Sequence, residues 1–341
     1  MNLKTVNEVP EKSKVLLRMD LDVPMENGVI LDSSRLTKTL PTLKVLLDKN
    51  CKVLIIGHRG RPKGVDQSLS LKPVYAELVG MLSGIKIVNS VFIEDLLATE
   101  TIDMAVDSND IVFLENLRFW QGEEDNNDNF RNYLVSLGEV YVNDAFAVAH
   151  REHASIMIHR QLPSYFGHSF VEEAKKINIV LTNPRRPLLV ILGGAKEDKL
   201  DYLGGLEKIA DHILVGGKLP RLSPLPKKHD GGESKIIWAQ LKADGLDLSV
   251  RDIERFKGLI AISQMIVWAG AMGQYEVAGN QSGTEAIALA VAASSGYKIV
   301  AGGDTGASIG KLGLADKIDF ICSGGGVMLE FLTKGTLPAW E

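Results

Sequence analysis

The chain has 341 residues, a net charge of −5, a pI near 5.9, and hydrophobic and charged fractions of 45% and 24%. That length exceeds what one hydrophobic core usually fills, so two domains are expected. The small negative charge argues against general attraction to nucleic acid or an anionic membrane, and no apolar run approaches the about 18 residues that span a bilayer. Residues 1–14 lack the apolar core of a signal peptide, and Cys51 and Cys322 lie in or beside apolar runs. A cytoplasmic protein with two buried thiols is therefore expected.

Short apolar runs alternate with stretches of helical periodicity along the chain. Buried strands are expected within 14–24 and at 53–57, 86–88, 110–115, 139–142, 188–192, 212–215, 264–268, 298–301 and 318–322. Helices are expected at 35–49, 71–82 and 170–182, the first with Ser33 or Ser34 as its N-cap. Two prolines and two arginines at 183–187 mark a domain boundary. The pattern indicates an α/β fold with a parallel sheet in each domain.

In the first half of the chain, charged residues follow the expected strands, and the first strand exits into Arg18, Asp20 and Asp22. Cations recur after later strands or at a helix start, at Arg35, His58, Arg61, Arg118 and Arg151. Any one of them could be a surface charge, and Arg35 could be explained either by an anionic ligand or by a nearby aspartate. Because ligands of open α/β sheets bind outside the carboxyl ends of the strands, several such cations would form a pocket for a small, highly charged anion.

In the second half, glycines follow five expected strands, at 193–194, 216–217, 270–273, 302–306 and 324–326. Each glycine could serve only a tight turn, but five such exits would let backbone N–H groups approach a polyphosphate closely. Asp304 is a natural carboxylate for a phosphate-bound Mg²⁺, whereas His150 and His153 are interpreted as structural rather than zinc ligands. No G-x-x-x-x-G-K-[ST] and no strand-linked G-x-G-x-x-G occurs, which disfavours a P-loop enzyme and an ordinary nicotinamide dehydrogenase.

Several motifs stand at these strand exits: RMDLDVP (18–24), GHRGRPKG (57–64), ENLRF (115–119), NDAF (143–146), AHREHAS (149–155), GGAK (193–196), GGDT (302–305), SGGG (323–326) and LEFL (329–332). Together they are highly specific, and the chain resembles the phosphoglycerate kinase family over nearly its whole length. The resemblance implies two doubly wound parallel-sheet domains joined by a hinge. Residues 1–182 would bind phosphoglycerate, 183–326 would bind the nucleotide, and 327–341 would return to the first domain.

The resemblance also implies the activity, which is reversible phosphoryl transfer between 1,3-bisphosphoglycerate and ADP, giving 3-phosphoglycerate and ATP in glycolysis. The expected protein is a cytoplasmic monomer that uses Mg²⁺ with its nucleotide and binds neither nucleic acid nor membrane. Hinge closure would bring the substrates together and exclude water.

Residue roles follow from the same resemblance. The phosphoglycerate would be bound by Asp20, Asp22, Arg35, His58, Arg61, Arg118 and Arg151. The nucleotide would be bound by Lys196, Lys199, Glu276, Gly303, Asp304 and Thr305, with Asp304 also meeting the metal. Arg35, Lys196 and the amides of Gly324 and Gly325 would carry catalysis by stabilising charge on the transferring phosphoryl group.

The chain departs from the family pattern mainly in its nucleotide half. Asp22 stands where the family has Asn, Lys218 replaces a third glycine, and WAGAMG (268–273) replaces W-N-G-P-M-G. Between Val215 and Leu246, several tens of residues that help wall the adenine pocket in the family are missing. Residues 219–235 are expected to form a loop in their place.

Two hypotheses follow. The first is an active kinase with a trimmed nucleotide site, which the retained Lys196, Glu276, Asp304 and triple glycine favour. The second is a catalytically impaired, kinase-like protein that binds phosphoglycerate or another small anion, which Asp22, Ala269 and the missing segment favour.

Overall fold

The computed structural model describes residues 3–84, 88–223 and 234–341, apart from the side chain of Asp304. The chain forms two compact units, Met1–Ala174 together with Pro338–Glu341, and Lys175–Leu337. Residues 86–87 of the strand predicted at 86–88, and residues 224–233 of the loop predicted at 219–235, fall outside the described residues.

The first unit contains the strands β1 (Lys14–Met19), β2 (Met25–Glu26), β3 (Val29–Ile30), β4 (Lys52–Ile56), β5 (Ser90–Ile93), β6 (Ile111–Leu114), β7 (Val140–Asp144) and β8 (Ser164–Phe166). Its helices are α1 (Ser34–Asp48), α2 (Lys72–Ser83), α3 (Thr99–Ser108), α4 (Asp128–Ser136), α5 (Ala154–Met157) and α6 (His168–Thr182), the last of which continues into the second unit.

Six of these strands form one parallel sheet in the order β5-β6-β4-β1-β7-β8, while β2 and β3 form a separate antiparallel pair. Both sheet faces are covered, because Val15 and Leu17 of β1 belong to one core cluster and Leu16 belongs to another. Such two-sided burial explains the continuous apolar runs in the sequence. The order reverses at β1, so the carboxyl ends of β1 and its neighbours are the expected binding edge.

The second unit contains the strands β9 (Leu188–Leu192), β10 (His212–Val215), β11 (Ile236–Trp238), β12 (Met265–Ala269), β13 (Tyr297–Ala301) and β14 (Phe320–Cys322). Its own helices are α7 (Leu203–Ile209), α8 (Leu219–Leu222), α9 (Val250–Ile262), α10 (Ser282–Ala293), α11 (Gly303–Lys311) and α12 (Gly325–Lys334). The strands form a parallel sheet in the order β11-β10-β9-β12-β13-β14, with its reversal at β9. The predicted α/β class with two doubly wound parallel sheets is therefore confirmed.

Some boundaries differ from the sequence prediction. The units divide within α6, before the boundary predicted after Thr182, and only Pro338–Glu341 of the predicted returning segment belongs to the first unit. Helix α12 belongs to the second unit, where Thr333 lies against the backbone of Gly205 on α7. The binding roles of the two domains and hinge bending stay predictions.

The prediction of a loop at 219–235 was wrong at its start, because Leu219–Leu222 form helix α8. Pro220 lies in the first turn, where a missing backbone N–H costs no hydrogen bond, and both Leu219 and Pro220 are buried. The prediction that Cys51 and Cys322 are buried thiols outside any disulfide is confirmed. In the described part of the chain, no helix has the length and apolar character needed to cross a membrane.

Candidate functional site

Arg18 is fully buried on β1 of the first unit. Its Nε donates to Ser155 Oγ at 3.0 Å, and a terminal nitrogen donates to His58 Nδ1 at 2.8 Å. Ser155 Oγ in turn donates to Oε1 of the buried Glu123 at 2.6 Å. The buried cation thus has hydrogen-bond partners and reaches a carboxylate through one hydroxyl, which offsets the cost of taking its charge out of water.

The contact with Arg18 fixes the tautomer of His58. Because a guanidinium can only donate, His58 Nδ1 must accept, and the ring proton lies on Nε2. Burial is the main cause that holds the pKa of His58 well below its usual value, and the charges of Arg18 and Arg118 lower it further. The sequence-based prediction that His58 adds a positive charge was therefore wrong, because this ring is a neutral donor through Nε2.

Arg35 lies in the first turn of α1, and its Nη1 contacts both carboxylate oxygens of Asp20, at 2.9 and 2.8 Å. Burial lowers the pKa of Arg35, but the contact with Asp20 and the charges of Asp22 and Glu173 outweigh it, so that the pKa is raised. Of the two explanations that the sequence left open for this cation, the structure supports the aspartate. A contact between Arg35 and a ligand stays a prediction.

Asp22 and Arg118 hold the backbone of Gly60 from opposite sides. Asp22 Oδ1 accepts the Gly60 N–H at 2.9 Å, and Arg118 donates to the Gly60 carbonyl at 2.6 Å. Arg118 Nε also lies 3.1 Å from Glu124 Oε1, as an ion pair whose geometry is not that of a hydrogen bond. Burial lowers the pKa of Arg118, and Glu124 partly offsets this. Both predicted residues therefore fix the turn that presents Arg61.

Arg61 and Arg151 are exposed, and neither side chain has a protein partner among the described residues. Arg151 lies near His153, since its charge helps to lower the pKa of that ring to about 3, with burial as the largest cause and Arg118 as the next. The charges of Arg118 and Arg18 also act on His58, and so does that of Arg35. The structure therefore brings Asp20, Asp22, Arg35, His58, Arg118 and Arg151 together at one sheet edge, with Arg61 next to Gly60.

We call the group formed by Arg35, His58, Arg61, Arg118 and Arg151 the basic cluster. The sequence patterns did not reveal the residues that support it. Glu123 and Ser155 support Arg18, and buried Asn116 binds the backbone of Arg59 at both its carbonyl and its N–H. Asn116 also accepts the N–H of Arg118 at 3.2 Å. Asn116 and Ser155 lie in quoted motifs, but Glu123 lies in none, and only the folded chain reveals it.

The second unit contains a pocket of about 310 Å³ at the carboxyl ends of its central strands. Small residues from the loops after β9, β10 and β12 line one part of it: Gly194, Ala195, Gly217, Ala271 and Gly273. Larger side chains line the rest: Lys218, Leu246, Gln274, Tyr275 and Glu276. The volume is within the range of about 300–1,000 Å³ that is usual for small-molecule sites. Of these residues, only Glu276 was predicted to bind the nucleotide.

Gly217 shows how closely the loops that line this pocket approach each other. Its φ is +61°, and a Cβ there would lie 2.5 Å from the Gly194 nitrogen and 2.9 Å from the Ala271 carbonyl oxygen. Real Cβ atoms do not approach backbone so closely, so this position requires glycine for both reasons. The close approach leaves backbone rather than side chains along this part of the pocket.

The two predicted lysines of the GGAK loop are placed differently. Lys199 Nζ donates to the carbonyls of Gly193 at 2.7 Å and Ala269 at 3.3 Å, and so joins the exits of β9 and β12. Lys196 is exposed at the start of the 3-10 helix Glu197–Tyr202 and has no side-chain partner among the described residues. The structure therefore gives Lys199 a structural contact and leaves Lys196 able to meet a ligand.

The loops after β13 and β14 meet at their glycines. A Cβ on Gly325 would lie 3.6 Å from both the Ala301 carbonyl oxygen and Gly302 Cα. Helix α11 begins at Gly303 and α12 at Gly325, with Gly324 as the N-cap of α12. The first N–H groups of each helix have no intrahelical partner, so the two helix N-termini together can bind an anion by donating hydrogen bonds to it.

Thr305 and Asp304 follow Gly303 on α11. Thr305 is fully buried, and its Oγ1 accepts the Gly270 N–H at 2.8 Å, which ties α11 to the exit of β12. Its predicted contact with phosphate is not tested by this arrangement, although the hydroxyl already has a protein partner. The side chain of Asp304 lies outside the described ones, so its predicted contact with a metal also stays a prediction.

Asp247 was missed from the sequence and is fully buried below the pocket. Its Oδ1 accepts the N–H groups of Leu248 at 2.9 Å and Gly283 at 3.1 Å. Its Oδ2 accepts Ser282 Oγ and Lys242 Nζ, both at 2.9 Å. No pattern in the sequence marks this carboxylate.

The residues of the second unit suit a Mg²⁺ ion that binds together with a nucleotide. They suit a metal ion bound only by protein side chains less well. In the described ranges, no group of three or more His, Cys, Asp or Glu side chains could hold a metal ion. Mg²⁺ needs only one or two carboxylates when phosphates supply further oxygens. The glycine-lined pocket and the adjacent helix starts suit such a phosphate-bound ion.

Comparison with known proteins shows similarity along the whole chain. The family model described as phosphoglycerate kinase matches residues 6–236 and 225–335. The chain is 34% identical to a phosphoglycerate kinase of Thermomicrobium roseum, with 98% of each chain covered, and 33% identical to one of Hydrogenobaculum, with 99% and 98% covered. The first alignment runs over 387 positions, more than the 341 residues here, so several tens of positions have no residue in this chain.

Solved structures agree with this similarity. The fold matches a phosphoglycerate kinase from Coxiella burnetii with a TM-score of 0.78 and 28% identity, covering 99% of this chain and 98% of the other. It matches one from Pyrococcus horikoshii with the same TM-score and 25% identity, covering 96% and 95%.

Proposed function

Because the chain belongs to the phosphoglycerate kinase family, we propose that it catalyses reversible phosphoryl transfer between ATP and 3-phosphoglycerate. In the direction of ATP use, a carboxylate oxygen of 3-phosphoglycerate forms a bond to the γ-phosphorus. The bond from that phosphorus to the β-γ bridging oxygen breaks, and ADP leaves with the electron pair. The observation that carries the proposal is that each unit has a site suited to one anionic substrate at its sheet edge. One unit has a cluster of basic residues, and the other has a glycine-lined pocket.

The first unit would bind 3-phosphoglycerate. Exposed Arg61 and Arg151 are suited to meet its charged groups, since an arginine fork donates two parallel hydrogen bonds to phosphate or carboxylate. His58 would add a neutral donor through Nε2. The ion pair with Asp20 would keep the Arg35 guanidinium oriented before the ligand arrives.

The second unit would bind the nucleotide, with the base against Leu246 and Tyr275 and the ribose near Glu276. Lys196 would stabilise charge on the transferring phosphoryl group, as would the N–H groups at Gly324 and Gly325. Asp304 would hold the Mg²⁺, which when bound neutralises charge on the phosphate oxygens. The protein would act as a monomer in the cytoplasm, with no nucleic-acid or membrane partner.

A coupled assay with Mg-ATP and 3-phosphoglycerate tests the proposal, read by reduction of the acyl phosphate formed. We expect turnover in the wild type and a fall of about 100- to 1,000-fold in Lys196→Ala, because a donor to the transferring group is lost. Lys208→Ala is the matched control, because Lys208 is also exposed in the second unit but lies outside the pocket. Absence of wild-type turnover, or full activity of Lys196→Ala, would contradict the proposal.

A catalytically impaired protein that only binds phosphoglycerate is the second candidate. It is favoured by Asp22, which adds negative charge close enough to influence Arg35 and Arg118. Titration with 3-phosphoglycerate separates the two candidates, since this one requires saturable binding with no turnover. Binding lost in Arg61→Ala would then identify the basic cluster as the surviving site.

A further inference from the structure

Lys218 is the one cation among the residues that line the pocket of the second unit, and Glu276 is the one anion. Lys218 stands where the family pattern has a third glycine. Its side chain is exposed and has no side-chain partner in the described part of the chain. The Lys218 ammonium is therefore available to a ligand at the pocket.

The backbone of Lys218 is held firmly in place. Its N–H donates to the Gly194 carbonyl at 2.8 Å, and the N–H of Gly217 donates to the Met272 carbonyl at 3.2 Å. These bonds tie the exit of β10 to the exits of β9 and β12 at the pocket. The origin of the lysine side chain is thus fixed beside Gly194 and Ala195, and only its flexible stem remains to be ordered by a ligand.

The two lysines of the GGAK loop differ from Lys218 because neither of them lines this pocket. Lys199 donates to the carbonyls of Gly193 and Ala269. Lys196 is exposed but does not line the pocket. Leu246 and Tyr275 provide apolar surface for a base, whereas an ammonium is a compact charge that binds phosphate well.

We propose that Lys218 binds the phosphate group nearest the nucleoside of a nucleotide in this pocket. The inference rests on the proposed function, because it assumes that the pocket takes a nucleoside diphosphate. The two matches of the family model overlap at 225–236. The segment that this chain lacks is therefore missing soon after Lys218. The lysine thus stands where the chain leaves the family pattern.

Equilibrium calorimetry on the full chain tests this with ADP, AMP and adenosine. We expect Lys218→Gln to weaken ADP and AMP binding by roughly three- to tenfold, the lower range for a charge-assisted hydrogen bond at an exposed site. Adenosine affinity should stay unchanged, and Lys218→Arg should keep most of the ADP affinity. Lys208→Gln removes the same charge outside the pocket and should have no effect.

Unchanged ADP affinity in Lys218→Gln would overturn the proposal, and so would an equal loss for adenosine, which would indicate contact with the base or ribose. A wild type that binds neither ADP nor AMP would also overturn it. Lys218-dependent ADP binding without any phosphoryl transfer would support this inference while refuting the proposed function, so the two failures are distinguishable.

Discussion

Replacing Asp247 with Asn should destabilise the second unit strongly, although the two side chains have nearly the same shape. Asp247 is fully buried and accepts from two backbone N–H groups, one hydroxyl and one ammonium. An amide keeps one oxygen but turns an NH₂ group toward groups that themselves donate. The groups that donate to one carboxylate oxygen would then face an NH₂ group, which cannot accept a hydrogen bond.

The magnitude follows from the bonds that Asn cannot keep. If Oδ1 retains Leu248 and Gly283, the new NH₂ faces Ser282 and Lys242, and Ser282 can rotate to accept. The loss of the bond from Lys242 and of the charge on the others should cost about 2–4 kcal/mol in the free energy of unfolding. Lys242→Gln should cost at most about 1 kcal/mol, because that side chain is 31% exposed and leaves the carboxylate with its other donors.

Urea unfolding at neutral pH measures both changes. A background with Trp120→Phe and Trp340→Phe leaves only Trp238 and Trp268 of the second unit to report by fluorescence. A loss below about 0.5 kcal/mol in Asp247→Asn, or an equal loss in both variants, would refute the assigned role. ADP affinity should fall in Asp247→Asn as well, because Gly273 of the pocket packs directly on this carboxylate.

Two further changes test the first unit. Asp22→Asn keeps an oxygen for the Gly60 N–H and removes a negative charge from the basic cluster. The affinity for 3-phosphoglycerate, measured by calorimetry, should therefore rise severalfold. An unchanged or lower affinity would contradict this. His153, whose pKa is lowered to about 3 mainly by burial, stays neutral in the fold but gains a proton in the unfolded chain below pH 6.5. Stability should therefore be lost as the pH falls from 6.5, by up to about 1.4 kcal/mol per pH unit, and equal slopes in wild type and His153→Gln would refute that.

The strands of the second unit were predictable because they are buried on both faces. The segments that form β9, β10 and β12 are nearly all apolar. In a chain with helices between such segments, this pattern indicates buried parallel strands. Helix α8 was not predictable in the same way. Its four residues include Pro220, which reads as a loop signal until burial of Leu219 and Pro220 is known.

The same contrast holds for the candidate site. The motifs identified His58 and Arg118, since charged residues at strand ends follow the topology of parallel sheets, and Arg35 was identified as a cation at a helix start. The charge of His58 was not predictable, because it depends on its burial and on the contact with Arg18 that the fold creates. The resemblance predicts that Lys199 binds the nucleotide, and this stays a prediction; its two contacts with backbone carbonyls depend on the fold and could not be predicted.

The sequence alone determined the α/β class, the family resemblance and most residues at the carboxyl edges of the sheets, because local hydrophobic patterns and motifs encode them. Tertiary structure decided which of those residues are available to a ligand. Asp247 and Glu123 became buried acceptors, and Thr305 became a buried support, through partners distant in the chain. Burial and long-range hydrogen bonding depend on the packing of many segments at once, and no local stretch of sequence contains that information.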